Sequence, residues 1–517
     1  MDYVFLGGAG EVGASCLLVS VADRHILFDC GMRVNQVGEA ALPDIELLKQ
    51  STPKLDAIFV SHAHADHIGA LPLAHIAFPQ VPIYATEPTQ RISAVMLANA
   101  VRLQESDEKE DTNQIFTQDA VDATIAKMHT LQMSEWIDLW DGWRVKMVRS
   151  GHILGAVSIL LDTPEGSYLY GGDISTFHQK TIHGLAFDEV AGTQPDFMWC
   201  EATYGDGNHP ARNTEEKKLA EAVATIIENG GSVLIPSFAL GRAQEIILIL
   251  RDAMISKNIS VFPVVTDGLV NSICSVYETL TPYLGKKLQK HLENSRQPLF
   301  HFRNFRRALM GEQETICKDE TPKCIIASSG MLTGGASVTY AKGLAANEKN
   351  AIFLSGYQDA ESPGRRLQEL SQGDTLTFAD GTSVAVNCQV ERFKLSAHSD
   401  QGQLLSVIKQ VNPKALALVH GEGNAIAALR EKVEKKYPVT CPVNGQVFEE
   451  TDKTLPFSTE TQETLEKTIT NAVEVQITDT GVILNKDIIG SHQWKNFING
   501  KHAATLEGGR LIIQKIK

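Results

Sequence analysis

The chain has 517 residues, 47 of them Lys or Arg and 62 Asp or Glu, for a formal net charge of -15 with histidine neutral. That length predicts two or three domains, and the acidic balance argues against binding a polyanion through overall charge, so any such ligand needs a local basic patch. No basic stretch leads into an apolar leader and no apolar run can span a bilayer, so a cytoplasmic protein with no membrane segment is expected; the eight cysteines lack a C-x-x-C pair and read as reduced packing residues, not as disulfides or thiolate zinc ligands.

In chain order, the apolar run Tyr3-Val4-Phe5-Leu6 is followed at residues 8–13 by GAGEVG, which fits a G-x-G-x-x-G dinucleotide fingerprint. That fingerprint requires a helix to open directly after the glycine turn, with its N-terminus on the pyrophosphate. The next residues read instead as a β-hairpin. Ala14 to Val21 and His25 to Phe28 are rich in apolar and β-branched residues, broken by the polar turn Ala22-Asp23-Arg24. The dinucleotide reading fails, and Asp29, at the end of the second strand, needs another role.

The strand Ile58-Phe59-Val60 ends at Ser61, and His62, His64, Asp66 and His67 form an H-x-H-x-D-H loop before an apolar helix predicted over Ile68 to Phe78. Imidazole nitrogen and carboxylate oxygen suit zinc, and four such groups this close can face two adjacent metals if the backbone bends sharply. The competing reading, a chance cluster of surface histidines, is disfavoured by the spacing and the strand-loop-helix context. Farther on, Glu105 to Asp111 is a charge run that reads as a solvated loop. Two metals need additional ligands from strand ends. His152 follows the strand Trp143 to Val148, and Asp173 ends the hairpin arm after Pro164-Glu165-Gly166. Alone, His152 reads more often as a satisfied core histidine and Asp173 as a turn residue or helix cap.

Taken together, an acid at a strand end, the H-x-H-x-D-H loop, a third histidine and a later aspartate resemble the metallo-β-lactamase fold. The resemblance implies an αββα sandwich with its site along one sheet edge. Asp29 would then be an acid behind the ligands that orients their loop, and GAGEVG a tight loop near the metals.

After Glu201-Ala202-Thr203-Tyr204-Gly205 the pattern changes. The apolar runs Val233 to Pro236, Ile259 to Val265, Lys323 to Ala327 and Ala351 to Leu354 alternate with helical stretches such as Ala243 to Met254 and Val270 to Leu280. That alternation predicts a parallel sheet in an inserted α/β domain. IPSFALGRAQE, SSGMLTGG, GYQDAESPGR, SAHSD around His398 and LVHGE around His420, with Glu201, resemble the β-CASP family, the nucleic-acid-processing branch of the fold, over residues 1–450. EATYG and SAHSD are closer to the endonuclease subunit of the cleavage and polyadenylation specificity factor and its prokaryotic relatives than to RNase J; Ala202 departs from the serine of that pattern.

The fold class implied is α/β: a metallo-β-lactamase sandwich in two parts, 1–205 and 386–450, a β-CASP insertion at 206–385, and a small C-terminal extension at 451–517. The resemblance implies two Zn2+ per chain, one on His62, His64 and His152, the other on Asp66, His67 and His420, with Asp173 bridging. It further implies hydrolysis of single-stranded RNA by a hydroxide activated between the metals, with Asp66 taking its proton. His398 would be the general acid, oriented by Glu201. Internal cutting is the leading expectation; 5′-exonuclease or mixed action as in RNase J, and a silent RNA-processing scaffold, are the alternatives. Ser237, Arg242, Ser328, Ser329, Gly330 and Arg365 are candidate RNA contacts, although each alone also reads as a turn or cap residue. The extension begins Thr/Glu-rich and turns strand-like at Val473 to Ile477, Gly481 to Leu484 and Leu511 to Ile516, a module for homodimerisation or RNA docking.

Overall fold

The computed structural model describes residues 1–449 except 53, 107–113, 296, 302 and 360, and beyond them only the strands within 475–515. The first compact unit, Met1–Lys453, contains two seven-stranded sheets and one of six. One seven-stranded sheet runs in the spatial order 447–449, 2–7, 16–21, 24–28, 57–59, 83–85, 128–130; the other runs 439–440, 415–419, 197–201, 166–170, 157–163, 143–149, 136–140.

The two sheets meet face to face because their strands alternate. Tyr3, Phe5, Leu17, Val19 and Phe28 of the first sheet and Val145, Ile159, Tyr168 and Trp199 of the second form one buried cluster between them. Their neighbours Val4, Leu6, Leu18 and Leu27 pack outward, with Leu71 and Leu97 of the helices Leu71–Ala77 and Glu87–Ser106. Met198, Cys200, Leu416 and Leu418 do the same on the far side, with Leu404 and Leu429 of Gln401–Val411 and Gly423–Val433. A period of two with both faces covered by helix is the αββα sandwich. GAGEVG opens no helix: the chain turns through it into the antiparallel pair Cys16–Val21 and Arg24–Phe28.

One expected element differs. In place of a continuous helix over Ile68 to Phe78 there are two pieces, Ala65–Ile68 and Leu71–Ala77. The break falls at Gly69, where a Cβ would lie 2.4 Å from the Met32 side chain, and Pro72 sits in the first turn of the second piece.

The six-stranded sheet has the order 305–307, 264–267, 324–327, 233–236, 351–354, 389–392, with every described pairing parallel. The strand expected over Ile259 to Val265 is shifted to Val264–Asp267, since Pro263 cannot donate to a ladder. The strands 233–236, 324–327 and 351–354 point their carboxyl ends at the sandwich, and the loops after them line its site. Crevices outside the carboxyl ends of parallel strands are where open α/β sheets bind ligands.

The second unit, Thr454–Lys517, contains the antiparallel pairs Val475–Thr478 with Gly481–Leu484 and His502–Glu507 with Arg510–Lys515. The Thr/Glu-rich start of this region and most of the 105–111 charge run lie outside the described residues. All eight cysteines are free. Among the described residues no helix is long and apolar enough to cross a membrane.

Candidate metal centre and cleft

Every expected metal ligand sits at or just beyond a strand end on one edge of the sandwich. His62, His64, Asp66 and His67 follow Ala57–Phe59, His152 follows Trp143–Arg149, Asp173 follows Gly166–Tyr170 and His420 follows Ala415–Val419. Their ligand atoms form two groups, His62, His64, His152 and Asp173, and Asp66, His67 and His420. The two oxygens of Asp173 divide between the groups. Oδ2 lies 3.4 Å from His62 Nε2 and 3.4 Å from His152 Nε2. Oδ1 lies 3.4 Å from His67 Nε2 and 3.5 Å from His420 Nε2. Asp66 Oδ2 is 3.8 Å from His67 Nε2 and 3.7 Å from His420 Nε2, and His64 Nδ1 is 3.1 Å from His62 Nε2 and 3.0 Å from His152 Nε2.

These separations fit cations. Ligands about 2.0–2.1 Å from a tetrahedral zinc stand roughly 3.3 Å from one another. Asp173 Oδ1 and His420 Nε2 are buried with no hydrogen-bond partner, a costly arrangement that a cation between them would relieve. Burial, above all, pushes the pKa of His62, His64 and His152 below the ordinary imidazole value, favouring the neutral form that binds a metal.

The other nitrogens of these rings are held by the fold. His67 Nδ1 donates to Asp29 at 2.8 Å, and His152 Nδ1 donates to the Ala397 carbonyl at 3.1 Å. His62 Nδ1 is 3.0 Å from Ser61 Oγ, and His420 Nδ1 is 2.9 Å from Ser15 Oγ. Asp29, fully buried with a left-handed φ of 57°, also accepts from Ser61 N and Ser61 Oγ at 2.7 Å and Tyr170 Oη at 2.8 Å. Such partners fix ring orientation in metal sites. The GAGEVG loop contributes here: the Gly8 carbonyl accepts from His420 N at 2.9 Å, and His420 itself adopts φ 47°. Gly31 permits the H-x-H-x-D-H loop to pass, since a Cβ there would sit 1.7 Å from the Asp66 carbonyl oxygen.

Beside the metal groups, His398 Nδ1 lies 3.1 Å from both oxygens of Glu201, while its Nε2 is 3.9 Å from Asp173 Oδ2. Burial alone would depress this imidazole, but the carboxylates of Glu201 and then Asp173 outweigh it, and its pKa is raised to about 9. Glu201 also accepts from Ile174 N at 2.7 Å, tying His398 to the Asp173 turn. Arg212 donates to the Ser396 carbonyl at 2.8 Å, holding the loop that carries His398.

One cavity joins this centre to the insertion, lined by His64, Asp66, His152, Asp173 and His398 on one side and Phe238, Leu240, Arg242, Met331 and Tyr357 on the other. Of the six candidate RNA contacts only Arg242 lines it. Arg242 is 7 % exposed, its Nε and Nη1 have no partner, and burial and then Arg212 push its pKa down to about 9. Ser237 Oγ donates to the Ile235 carbonyl, and Ser328 Oγ accepts from Leu269 N. Gly330 sits behind Phe238, Ser329 bonds Thr333, and Arg365 pairs with Glu369 at 3.2 Å along its own helix. Sequence reading passed over Ser15, Ser61, Tyr170 and Phe238. Ser61, at a strand end beside the first ligand, had a local signal; the others are joined to the site only by the fold.

A sandwich whose sheet edge gathers two imidazole-carboxylate groups around a shared aspartate defines a metallo-hydrolase that uses divalent metal. Residues 18–199 match the metallo-beta-lactamase superfamily domain, 243–367 the Beta-Casp domain and 383–442 the Zn-dependent metallo-hydrolase RNA specificity domain. The chain is 31 % identical to the RNase J-like protein of Methanocaldococcus jannaschii, over 86 % of this chain and 98 % of that one. It is 29 % identical to Integrator complex subunit 11 of Danio rerio, over 85 % of this chain and 73 % of the relative. A crystal structure of a protein of unknown function from Enterococcus faecalis V583 superposes with a TM-score of 0.51 and 17 % identity over 86 % of this chain and 99 % of that one, a likeness of fold. The chain belongs to the β-CASP family of metallo-β-lactamase-fold enzymes, metal-dependent hydrolases of RNA processing.

Proposed function

We propose that this chain is a zinc-dependent endoribonuclease acting on single-stranded RNA. The observation that carries the reading is the pairing of two metal-ligand groups on Asp173 with a separate histidine, His398, held by Glu201 at the same cavity. His62, His64 and His152 would hold one Zn2+, and Asp66, His67 and His420 the second, with Asp173 between them. Metals bound there supply Lewis-acid stabilisation of phosphoryl oxygen and lower the pKa of water. The chain's own groups handle protons and position. Asp66 takes the proton of the attacking water, and His398 gives its Nε2 proton to the leaving ribose oxygen. Glu201 keeps that imidazole charged and oriented.

Arg242 takes a phosphate oxygen, supported by its place in the cavity lining and by two buried guanidinium nitrogens, Nε and Nη1, that have no partner within the protein. Ser329 and Arg365 extend the RNA path outward, while Ser237, Ser328 and Gly330 shape its loops. We divide the chain at 205, 385 and 450, with the insertion's sheet reaching on through its last strand, Gln389–Arg392. Cytoplasmic location, and homodimerisation or RNA docking through the residues after 450, belong to the same reading. The similarity to an RNase J-like protein along nearly its whole length supports 5′-exonuclease or mixed action as the second reading.

The deciding experiment is incubation of a circular single-stranded RNA with zinc-loaded protein and with His398→Ala. A circle offers no end to enter. Linear product from the unaltered protein alone is the expected result. An intact circle beside degraded linear RNA would select the exonuclease reading, and fewer than about two zincs per chain would revive the scaffold.

A further inference from the structure

An enzyme that only gripped phosphates would line its cleft with cations and amides. Here the insertion's side of the cavity presents Phe238, Leu240, Met331 and Tyr357, and the facing loops add Val12 and Val34. Arg242 is the cation among these lining residues.

Phe238 is built into this place. It follows the strand Val233–Pro236, and its ring packs against two backbone segments that leave no room for a side chain. A Cβ on Gly356 would meet the ring's Cε2 at 2.9 Å and its Cδ2 at 3.1 Å, and one on Gly330 would lie 2.8 Å from Phe238 N and 3.2 Å from Cδ2. The two glycines come from the loops after neighbouring strands, so three strand ends cooperate to hold one partly exposed aromatic ring. Tyr357, next to Gly356, is anchored by donating from its hydroxyl to Glu422 at 2.7 Å. Gly241, with φ 84°, turns the chain from the Phe238 loop into the helix that starts at Arg242. Phe238, partly exposed, and Arg242, whose buried Nε and Nη1 have no partner, thus line one cavity from a single strand-to-helix connection. A nucleotide offers the matching pair, a flat π face and an anion.

Resting on the ribonuclease reading above, we propose that Phe238 is a stacking platform for one nucleobase next to the scissile phosphate, with Arg242 on the phosphate of that nucleotide. Stacking accepts any base because every base has a π face, so this subsite fixes the register of the strand over the metals without fixing its sequence. The loss of one base at this position should therefore weaken cleavage more than its loss elsewhere.

The test uses the full chain loaded with zinc and a set of single-stranded RNAs that carry one abasic ribonucleotide, moved stepwise across the mapped cleavage position. The expected result is that kcat/KM falls about 5- to 150-fold, the range of a single base–aromatic stack, at one position beside the cut. Phe238→Leu, which keeps apolar volume but removes the ring, should weaken cleavage of intact RNA by a similar factor and become indifferent to the abasic residue at that position. Phe238→Tyr should restore sensitivity. If the scan is flat, or if the variant and abasic losses multiply at every position, the platform assignment is overturned while the ribonuclease reading stands. If the unaltered protein cuts no RNA of any form, both fall.

Discussion

The two walls of the cleft follow opposite rules. On the sandwich side five histidines each have a second ring nitrogen engaged, His64 Nε2 more loosely at 3.4 Å from the Leu240 carbonyl, and the buried Asp29 accepts from three residues. On the insertion side the cavity is lined chiefly by the rings of Phe238 and Tyr357, the aliphatic Leu240, the thioether of Met331 and the guanidinium of Arg242, two of whose nitrogens have no partner. The difference matches two tasks. Metal chemistry needs atoms fixed within tenths of an ångström, whereas a polymer of varied sequence needs faces and charges that accept many partners.

Breaking the fixed wall should cost most. Asp173→Ala removes the group shared by both metal clusters, and zinc per chain by elemental analysis should fall to one or less with RNA cleavage lost. His398→Ala should lower kcat by about 100- to 10,000-fold, the range of a general acid, at unchanged zinc content. A matching loss of metal would instead make His398 a structural prop. Asp29→Ala, which touches no metal ligand atom except through His67 and Ser61, should weaken zinc affinity by about 10- to 100-fold in a competition titration.

The adaptable wall should respond more gently and through a different observable. Arg242→Ala should raise KM more than it lowers kcat, and the slope of log affinity against log salt should become shallower by about 0.7 for a single-stranded ligand. Arg365→Ala, whose side chain is already paired and away from the cavity, gives the smaller change. The most delicate comparison is pH. If His398 is the general acid proposed above it acts only when protonated, so activity should be lost as pH rises through its pKa, raised to about 9. Glu201→Gln removes the main cause of the rise, and the alkaline limb of kcat should move to lower pH. An unmoved limb would assign it to another group.

Legibility in the sequence divides along the same line. The H-x-H-x-D-H spacing is local, so four candidate ligands were readable from one loop, whereas the sandwich was legible only through the family pattern, although the alternation of Val4 and Phe5 or Met198 and Trp199 between its faces is what builds it. His152, Asp173 and His420 each sit alone in sequence and were placed by family pattern, since only the sheet edge brings them together. Ser15 was invisible because its partner is His420, across the whole sandwich. Phe238 drew no role of its own within the motif IPSFALGRAQE, since nothing local says that Gly330 and Gly356 make room for its ring. The helix predicted through Gly69 breaks because Ala70 N donates out of the helix to the Cys30 carbonyl and Pro72 has no N–H to continue the ladder.

The first strand, Asp2–Gly7, pairs with Val447–Glu449, and the Gly8 carbonyl waits for the amide of His420. Synthesis therefore sets an order of events. A nascent chain emerging from the ribosome presents the His62, His64 and His152 cluster early, but the Asp66 and His67 pair lacks its third member until almost the entire sandwich has been translated. Throughout that interval the growing polypeptide is attached to a messenger RNA that it has no complete machinery to cut.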